Sequence, residues 1–326
     1  MKRILSGMQP TGSAHLGNYL GAIRNWVDMQ DEYECFYSVV DLHALTTRPS
    51  AEKLRSNVLE LTIALLASGV DPERSVLFVQ SAVKEHAELA WILSCHTVLG
   101  DLNRMTQFKE KTEDDPGVAN AGLYTYPILQ AADIMVYRAT HVPVGEDQNQ
   151  HLELTREVAR RFRHHYGELF PEPAAVNSPT PRVLGVDGQT KMSKSKGNHI
   201  GLLEEADEVM AKLRGAVTDP QRLRRTDPGC PEVCNLWSLH GSFTPDEQQK
   251  EIHEGCTTAT IGCVDCKKML CDNIIAHTEP IRERARALRA DPDGVMDVLR
   301  QGNEKARAEA SATMALVRER VGIWDV

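Results

Sequence analysis

No stretch of the 326 residues approaches the roughly 20 consecutive apolar positions that a membrane-spanning helix requires. The amino terminus lacks the basic, apolar and small-residue order of a secretory signal, so a cytoplasmic home is expected. There is no internal repeat and no low-complexity stretch. Positive charge is also scarce: 37 Lys and Arg against 46 Asp and Glu give a formal net charge of −9. No global basic field announces nucleic acid, so any such site must be a local basic surface. Arg222, Arg224 and Arg225 form one candidate knot, and Arg282, Arg284, Arg286 and Arg289 another. Solvated helix faces produce such knots as well.

What is present reads as a globular α/β chain. Hydrophobic residues make up 41% and charged residues 25%, ordinary for an enzyme of one large domain or two smaller ones. A short apolar strand (Ile4, Leu5) runs into a Gly/Pro-rich turn from Ser6 to Gly12, and a helix begins at about His15. Cys35 to Val40 reads as a second strand. The next helix has Ser50 as N-cap, an apolar stripe at Leu54, Val58, Leu61 and Leu65, and Gly69 as its stop. Val76 to Val79 and His141 to Val144 supply further strands, the last ending at Gly145. Strands alternating with helices predict a parallel, doubly wound sheet. Pro171, Pro173, Pro179 and Pro181 punctuate a boundary loop, and beyond about residue 200 the pattern turns helical. The final helix is predicted to start at Asn303 and stop at Gly322. Its apolar positions Ala306, Ala310, Met314, Val317 and Val321 should face back onto the sheet domain.

Two segments carry chemistry. The turn Gly7-Met8-Gln9-Pro10-Thr11-Gly12 runs into His15-Leu16-Gly17-Asn18. A strand, a glycine-rich turn and a helix start aim backbone N–H groups and a positive dipole end at one anion. Gly17 lets a nucleotide approach the backbone closely, and His15 adds a donor for phosphate oxygens. Such turns are common on their own. The second segment is Lys191-Met192-Ser193-Lys194-Ser195, in a flexible-looking stretch between Gly188 and Gly197. Two lysines three apart on a mobile loop can close over a polyphosphate and neutralise the charge that builds as pyrophosphate leaves. Taken singly, the same stretch is a solvated basic loop.

Together, HxGN after the first strand and KMSKS after the sheet region resemble the paired signatures of class I aminoacyl-tRNA synthetases. Asn18 stands where the commonest HxGH form has its second histidine, a substitution usual in the tryptophanyl branch. SGMQPTG (6–12), VDLHALT (40–46), RMTQFKEK (104–111), YPILQAADI (126–134) and PVGEDQNQHLELTREVARRF (143–162) resemble bacterial members of that branch. The resemblance covers most of the chain. It implies that ATP, with Mg2+, activates tryptophan as its adenylate before transfer to tRNA(Trp). The attacking carboxylate is already ionised, so positioning and electrostatics do the catalysis, not a nucleophilic side chain.

The same resemblance implies ATP contacts from Gln9, Pro10, Thr11, His15, Gly17, Asn18, Gly145 and Asp147, and from Lys191, Met192, Ser193, Lys194 and Ser195. Gln9, Lys111, Lys191 and Lys194 would be catalytic. Tryptophan would be held by Val40, His43, Tyr126, Gln130, Asp133 and Gln148, with Asp133 accepting the indole N–H. Gln130 departs from the Met that many bacterial members carry. By residue type alone, Asp133 reads equally as a capping or salt-bridged aspartate, and His43 as a satisfied core histidine.

Eight cysteines are many for a reducing compartment, and six lie between 230 and 271. Cys234, Cys256, Cys263 and Cys266 have the spacing C-x21-C-x6-C-x2-C, which suits a four-thiolate zinc or an iron–sulfur cluster. The segments TDPGCPEVCN (226–235) and GCTTATIGCVDCKK (255–268) resemble the synthetases of this branch that carry a [4Fe-4S] cluster near the anticodon-binding region. Cys230 and Cys271 lie outside that pattern, while Lys267 and Lys268 adjoin the last ligand. The domain expectation is a Rossmann-like catalytic domain over 1–185, the KMSKS loop over 186–200, a helical anticodon-binding domain over 201–295 and a returning helix over 296–326. A homodimer is implied too. The rival readings are a tyrosyl-tRNA synthetase, a small nucleotidyltransferase of the same superfamily, and a tRNA-binding metal protein without catalysis.

Overall fold

A computed structural model describes residues 2–114, 116–145, 148–177 and 183–324, apart from the side chains of Glu110, Lys111, Asp114, Pro116 and Asn177. The described strands are β1 (Arg3–Met8), β2 (Glu34–Val39), β3 (Ser75–Val79), β4 (His141–Val144) and β5 (Ala174–Asn177). They form one parallel sheet in the order β3-β2-β1-β4-β5. The helices in chain order are α1 (Leu16–Asn18), α2 (Arg24–Met29), α3 (Asp41–Ala44), α4 (Ala51–Ala67), α5 (Glu85–Ser94), α6 (Leu99–Asn103) and α7 (Thr106–Asp114). They continue with α8 (Ala121–Val136), α9 (Asn149–Tyr166), α10 (Ala206–Gly215), α11 (Trp237–Phe243), α12 (Asp246–Thr257), α13 (Cys263–Ala290) and α14 (Pro292–Val321). A π-helical stretch, Tyr19–Ile23, joins α1 to α2.

The chain forms two compact units. One comprises residues 1–12, 26–179 and 291–326; the other comprises 13–25 and 180–290. In the first, β2 is buried along nearly its whole length, as a strand covered on both faces must be. Phe36 of β2 stacks on Tyr137 with ring centroids 4.8 Å apart, and Phe78 of β3 meets Tyr137 edge-on. The order of strands reverses direction beside β1, between β2 and β4. In an open α/β sheet the crevice outside the strand carboxyl ends at such a point is where ligands bind.

Two elements differ from the sequence reading. The proline-punctuated segment contains β5, which pairs with β4 from His141↔Ala174 to Val144↔Asn177; Pro179 and Pro181 lie outside the described residues. The last helix starts eleven residues before Asn303, at Pro292, capped by the Asp291 side chain. Asn303 lies inside it, and its Oδ1 accepts the Val79 backbone N–H at 2.9 Å. Beside it, a Cβ added to Gly302 would sit 1.8 Å from the Leu77 carbonyl oxygen. The Gly-Asn pair therefore marks where α14 presses onto β3, and not where a helix begins. Ala306, Ala310, Met314 and Val317 complete the same core, and Gly322 ends the helix in the left-handed conformation.

Candidate functional site

Within the sheet unit, Gln9, Val40, Gln80 and Gly145 follow the carboxyl ends of β1, β2, β3 and β4 in turn. Gln9 opens a turn in which its carbonyl accepts the Thr11 N–H at 2.9 Å. Pro10 is buried and Thr11 exposed. Val40 packs so closely on Gly7 that a Cβ there would meet Val40 Cγ1 at 2.6 Å. Helix α8, capped by Asn120 Oδ1 accepting the Leu123 N–H, carries Tyr126, Gln130 and Asp133. Their i, i+4, i+7 spacing puts all three on one face.

Along that face, the Tyr126 hydroxyl lies 2.6 Å from His151 Nε2 and donates to Gln107 Oε1 at 2.5 Å. Gln130 Nε2 donates to Gln148 Oε1 at 3.3 Å. Asp133 is buried, with Oδ2 at 2.7 Å from His43 Nε2 and Oδ1 at 2.6 Å from His86 Nδ1. Burial alone would raise its pKa; His43, through charge and hydrogen bond, and then His86 outweigh that and hold it down at about 2. His43 is thus a satisfied buried histidine that also lines a pocket of about 330 Å³, together with Tyr126, Trp91 and Thr46. Lys111 lies on α7 and its side chain is outside the described residues, as is Asp147.

In the other unit the two signature segments meet. His15 caps α1: its Nδ1 accepts the Asn18 N–H at 3.2 Å while Asn18 Oδ1 accepts the His15 N–H at 3.2 Å. The segment is tied to the chain beyond the loop by Leu16 N–H to the Ile200 carbonyl and Leu202 N–H to the Ala14 carbonyl, both 2.9 Å. Gly17 N–H donates to Met192 Sδ at 3.3 Å. A Cβ on Gly17 would lie 3.0 Å from the His15 ring and 3.2 Å from Met192 Cβ. Met192 is buried, whereas Lys191 and Ser195 are exposed. Burial, then the charges of Lys194, His199 and Lys191, push the His15 pKa down to about 4. A neutral ring that accepts at Nδ1 carries its proton on Nε2, as a phosphate donor requires. Burial lowers Lys194 to about 8.

The loop carries hydrogen bonds of its own. Asn198, buried and overlooked in the sequence, accepts the Ser193 N–H at 2.8 Å and donates to Asp187 Oδ2 at 2.8 Å and Thr190 Oγ1 at 2.9 Å. Gly185 leaves room for it, since a Cβ there would lie 2.2 Å from the Asn198 amide.

Comparison with known proteins resolves what this paired arrangement belongs to. The family model described as tRNA synthetases class I (W and Y) matches residues 1–279. The tryptophan–tRNA ligase of Deinococcus radiodurans is 53% identical over 328 residues, spanning 99% of this chain and 99% of that protein. This chain belongs to the bacterial tryptophanyl-tRNA synthetases of class I. The tryptophan–tRNA ligase of Thermotoga maritima is 49% identical, over 98% of this synthetase and 99% of its own length. The tryptophanyl-tRNA synthetase of Campylobacter jejuni, solved with ADP and tryptophan, superposes with a TM-score of 0.90 at 36% identity, over 98% of this chain and 100% of that one.

The six cysteines between 230 and 271 separate into two groups. Cys234, Cys256, Cys263 and Cys266 line one pocket with Arg222 and Lys267. Cys263 and Cys266 share the first turn of α13, Cys256 lies in the last turn of α12, and Cys234 follows the 3-10 turn Pro231–Val233. Burial, with the other three cysteines adding, pushes the Cys266 thiol up to about 12. Arg222 Nη1 donates to Cys256 Sγ at 3.5 Å, and His240 Nε2 lies 3.3 Å from Cys266 Sγ. Cys230 and Cys271 are not among the lining residues; they donate to Glu232 and to the Ala206 carbonyl. Among the described residues, no group of three or more His, Cys, Asp or Glu is gathered tightly enough to hold a metal ion.

Proposed function

We propose that this chain activates tryptophan with ATP to tryptophanyl-AMP and pyrophosphate, and then esterifies tryptophan to tRNA(Trp) in the cytoplasm. The observation that carries this is the packing of Gly17 and His15 against Met192, which puts a donor-rich helix start and the two-lysine loop side by side. Gln9, Pro10, Thr11, His15, Gly17, Asn18, Gly145, Asp147 and the loop 191–195 contact ATP, brought in with Mg2+. Lys191 and Lys194 meet the leaving pyrophosphate, assisted by Lys111. Charge that grows in the transition state is what these cations stabilise. Tyr126, Gln130 and Gln148 orient the ammonium and carboxylate of tryptophan, Val40 and His43 line the indole slot, and Asp133 accepts the indole N–H.

ATP–pyrophosphate exchange tests the reading. Tryptophan should support it, and tyrosine and phenylalanine should not. A site built to hydrogen-bond its ligand rejects an analogue lacking that group by roughly 10⁴ to 10⁵. Comparable exchange with tyrosine would overturn the assignment. A homodimer in sedimentation is a further expectation, carried by the family resemblance.

The resemblance of segments 226–235 and 255–268 to cluster-bearing synthetases favours a [4Fe-4S] cluster on Cys234, Cys256, Cys263 and Cys266 over zinc. Zinc draws four thiolates to about 2.3 Å around one centre, whereas four irons keep them further apart. The four thiols line one pocket, as either group would require. Bound there, the cluster would supply cross-links that hold the helical anticodon-binding unit in shape. Anaerobically purified protein should be brown, with about four irons and four labile sulfides per chain. Cys266→Ser should lose the colour and charge tRNA poorly while still forming the adenylate. One zinc and no sulfide would refute the cluster.

A further inference from the structure

The Asp133 carboxylate is committed on three sides. Oδ1 accepts from Gln80 Nε2 at 2.7 Å and faces His86 Nδ1 at 2.6 Å, while Oδ2 faces His43 Nε2 at 2.7 Å. An ionised carboxylate has only acceptors, so both ring nitrogens that face it carry protons. Gln80 cannot be turned over, because its Oε1 accepts the Leu42 N–H at 3.1 Å at the start of α3. His86 is wholly buried, and its other nitrogen lies 2.8 Å from the Tyr137 hydroxyl, which is also wholly buried. With Nδ1 protonated, Nε2 accepts and Tyr137 donates. A carboxylate offers about four acceptor positions, so three partners leave one, on Oδ2.

Resting on the reading of Asp133 as the indole acceptor, we propose that His86, held as its Nδ1–H tautomer by the Asp133 carboxylate and braced at Nε2 by Tyr137, is a positioning residue for tryptophan selection. Together with Gln80 it occupies Oδ1 and reserves the remaining position on Oδ2 for the indole N–H. The arrangement resembles a histidine oriented by its outer partner to hold an inner group. Without the His86 proton, Oδ1 keeps only Gln80 and gains an open acceptor position of its own, so the carboxylate no longer presents a single one. A buried partner left unpaired weakens what depends on it by a factor of roughly ten to a hundred.

The test is steady-state exchange for Asp133→Asn, His86→Leu, His86→Asn and Tyr137→Phe, with long-range 1H–15N spectra of the wild-type imidazoles. His86→Leu should raise the tryptophan KM about ten- to a hundredfold, narrow discrimination against phenylalanine, and leave kcat and the ATP KM nearly unchanged. His86→Asn, whose amide N–H can stand at the Nδ1 position, should recover most of that loss. Tyr137→Phe should give a smaller rise and keeps the question answerable if His86→Leu fails to fold. The spectra should show His86 protonated on Nδ1. A wild-type His86 carrying its proton on Nε2 alone, or equal losses for tryptophan and ATP, would overturn the proposal. If Asp133→Asn abolishes selection while His86→Leu does not, the positioning role fails and the Asp133 reading stands. If Asp133→Asn leaves the tryptophan KM unchanged, the reading itself fails and the proposal with it.

Discussion

Lys194→Met should make the ligand-free protein more stable and the enzyme much slower. The ammonium is partly buried in the loop, and burial lowers its pKa from 10.5 to about 8. At about 1.4 kcal/mol per pH unit, that fall corresponds to roughly 3 kcal/mol against folding if the site were dry. The group is partly solvated, so screening leaves roughly 1 kcal/mol. The sign follows from the direction. A lysine whose folded pKa lies below its unfolded one carries its full penalty below about pH 8, and the penalty is relieved as pH rises toward 10.5. Wild type should therefore gain stability relative to Lys194→Met across that window, while at pH 7 the variant should melt a few degrees higher. Against this, loss of a cation wanted at the departing pyrophosphate should slow activation by on the order of 10² to 10³, with tryptophan binding little changed. Thermal melts at pH 7 and 9.5 beside single-turnover adenylate formation provide the check. A variant that melts lower and activates at full rate would show Lys194 to be a structural cation and refute the reasoning.

Three further outcomes follow from named contacts. Gly302→Ala should destabilise by about 1–3 kcal/mol in urea unfolding, because overpacking against the Leu77 backbone exceeds the ~1 kcal/mol that helix propensity adds; unchanged or raised stability would mean α14 does not press on β3. Asn198→Ala should lower the rate of exchange roughly tenfold with the tryptophan KM intact, since the loop loses its internal bonds and its lysines lose their placement; a change confined to tryptophan KM would contradict this. Asp133→Ala should raise the tryptophan KM sharply and leave the ATP KM nearly as it was; equal loss for all substrates, or failure to fold, would favour a purely structural aspartate.

The residue order alone was enough for the alternation of strands and helices, the N-cap at Ser50, the stop at Gly322, both signature segments and the family. Each rests on local chemistry: apolar period, a capping oxygen, a glycine at positive φ, or a contiguous motif. Other features depended on residues distant in the chain. β5 was hidden among prolines because a short strand at the edge of a sheet is defined by its partner, β4, and not by its own pattern. Gly302-Asn303 carries a helix-start signal that the approach of β3 overrides. The motif singled out Cys234, Cys256, Cys263 and Cys266 among six cysteines, and the packing of α12, α13 and the turn before α11 is what brings those four, distant in the chain, to one pocket without Cys230 and Cys271. His86 and Gln80 lie 47 and 53 positions from Asp133, in no motif, and nothing local marks them. A buried carboxylate must find its donors wherever the fold brings them, and that choice is made by the tertiary structure.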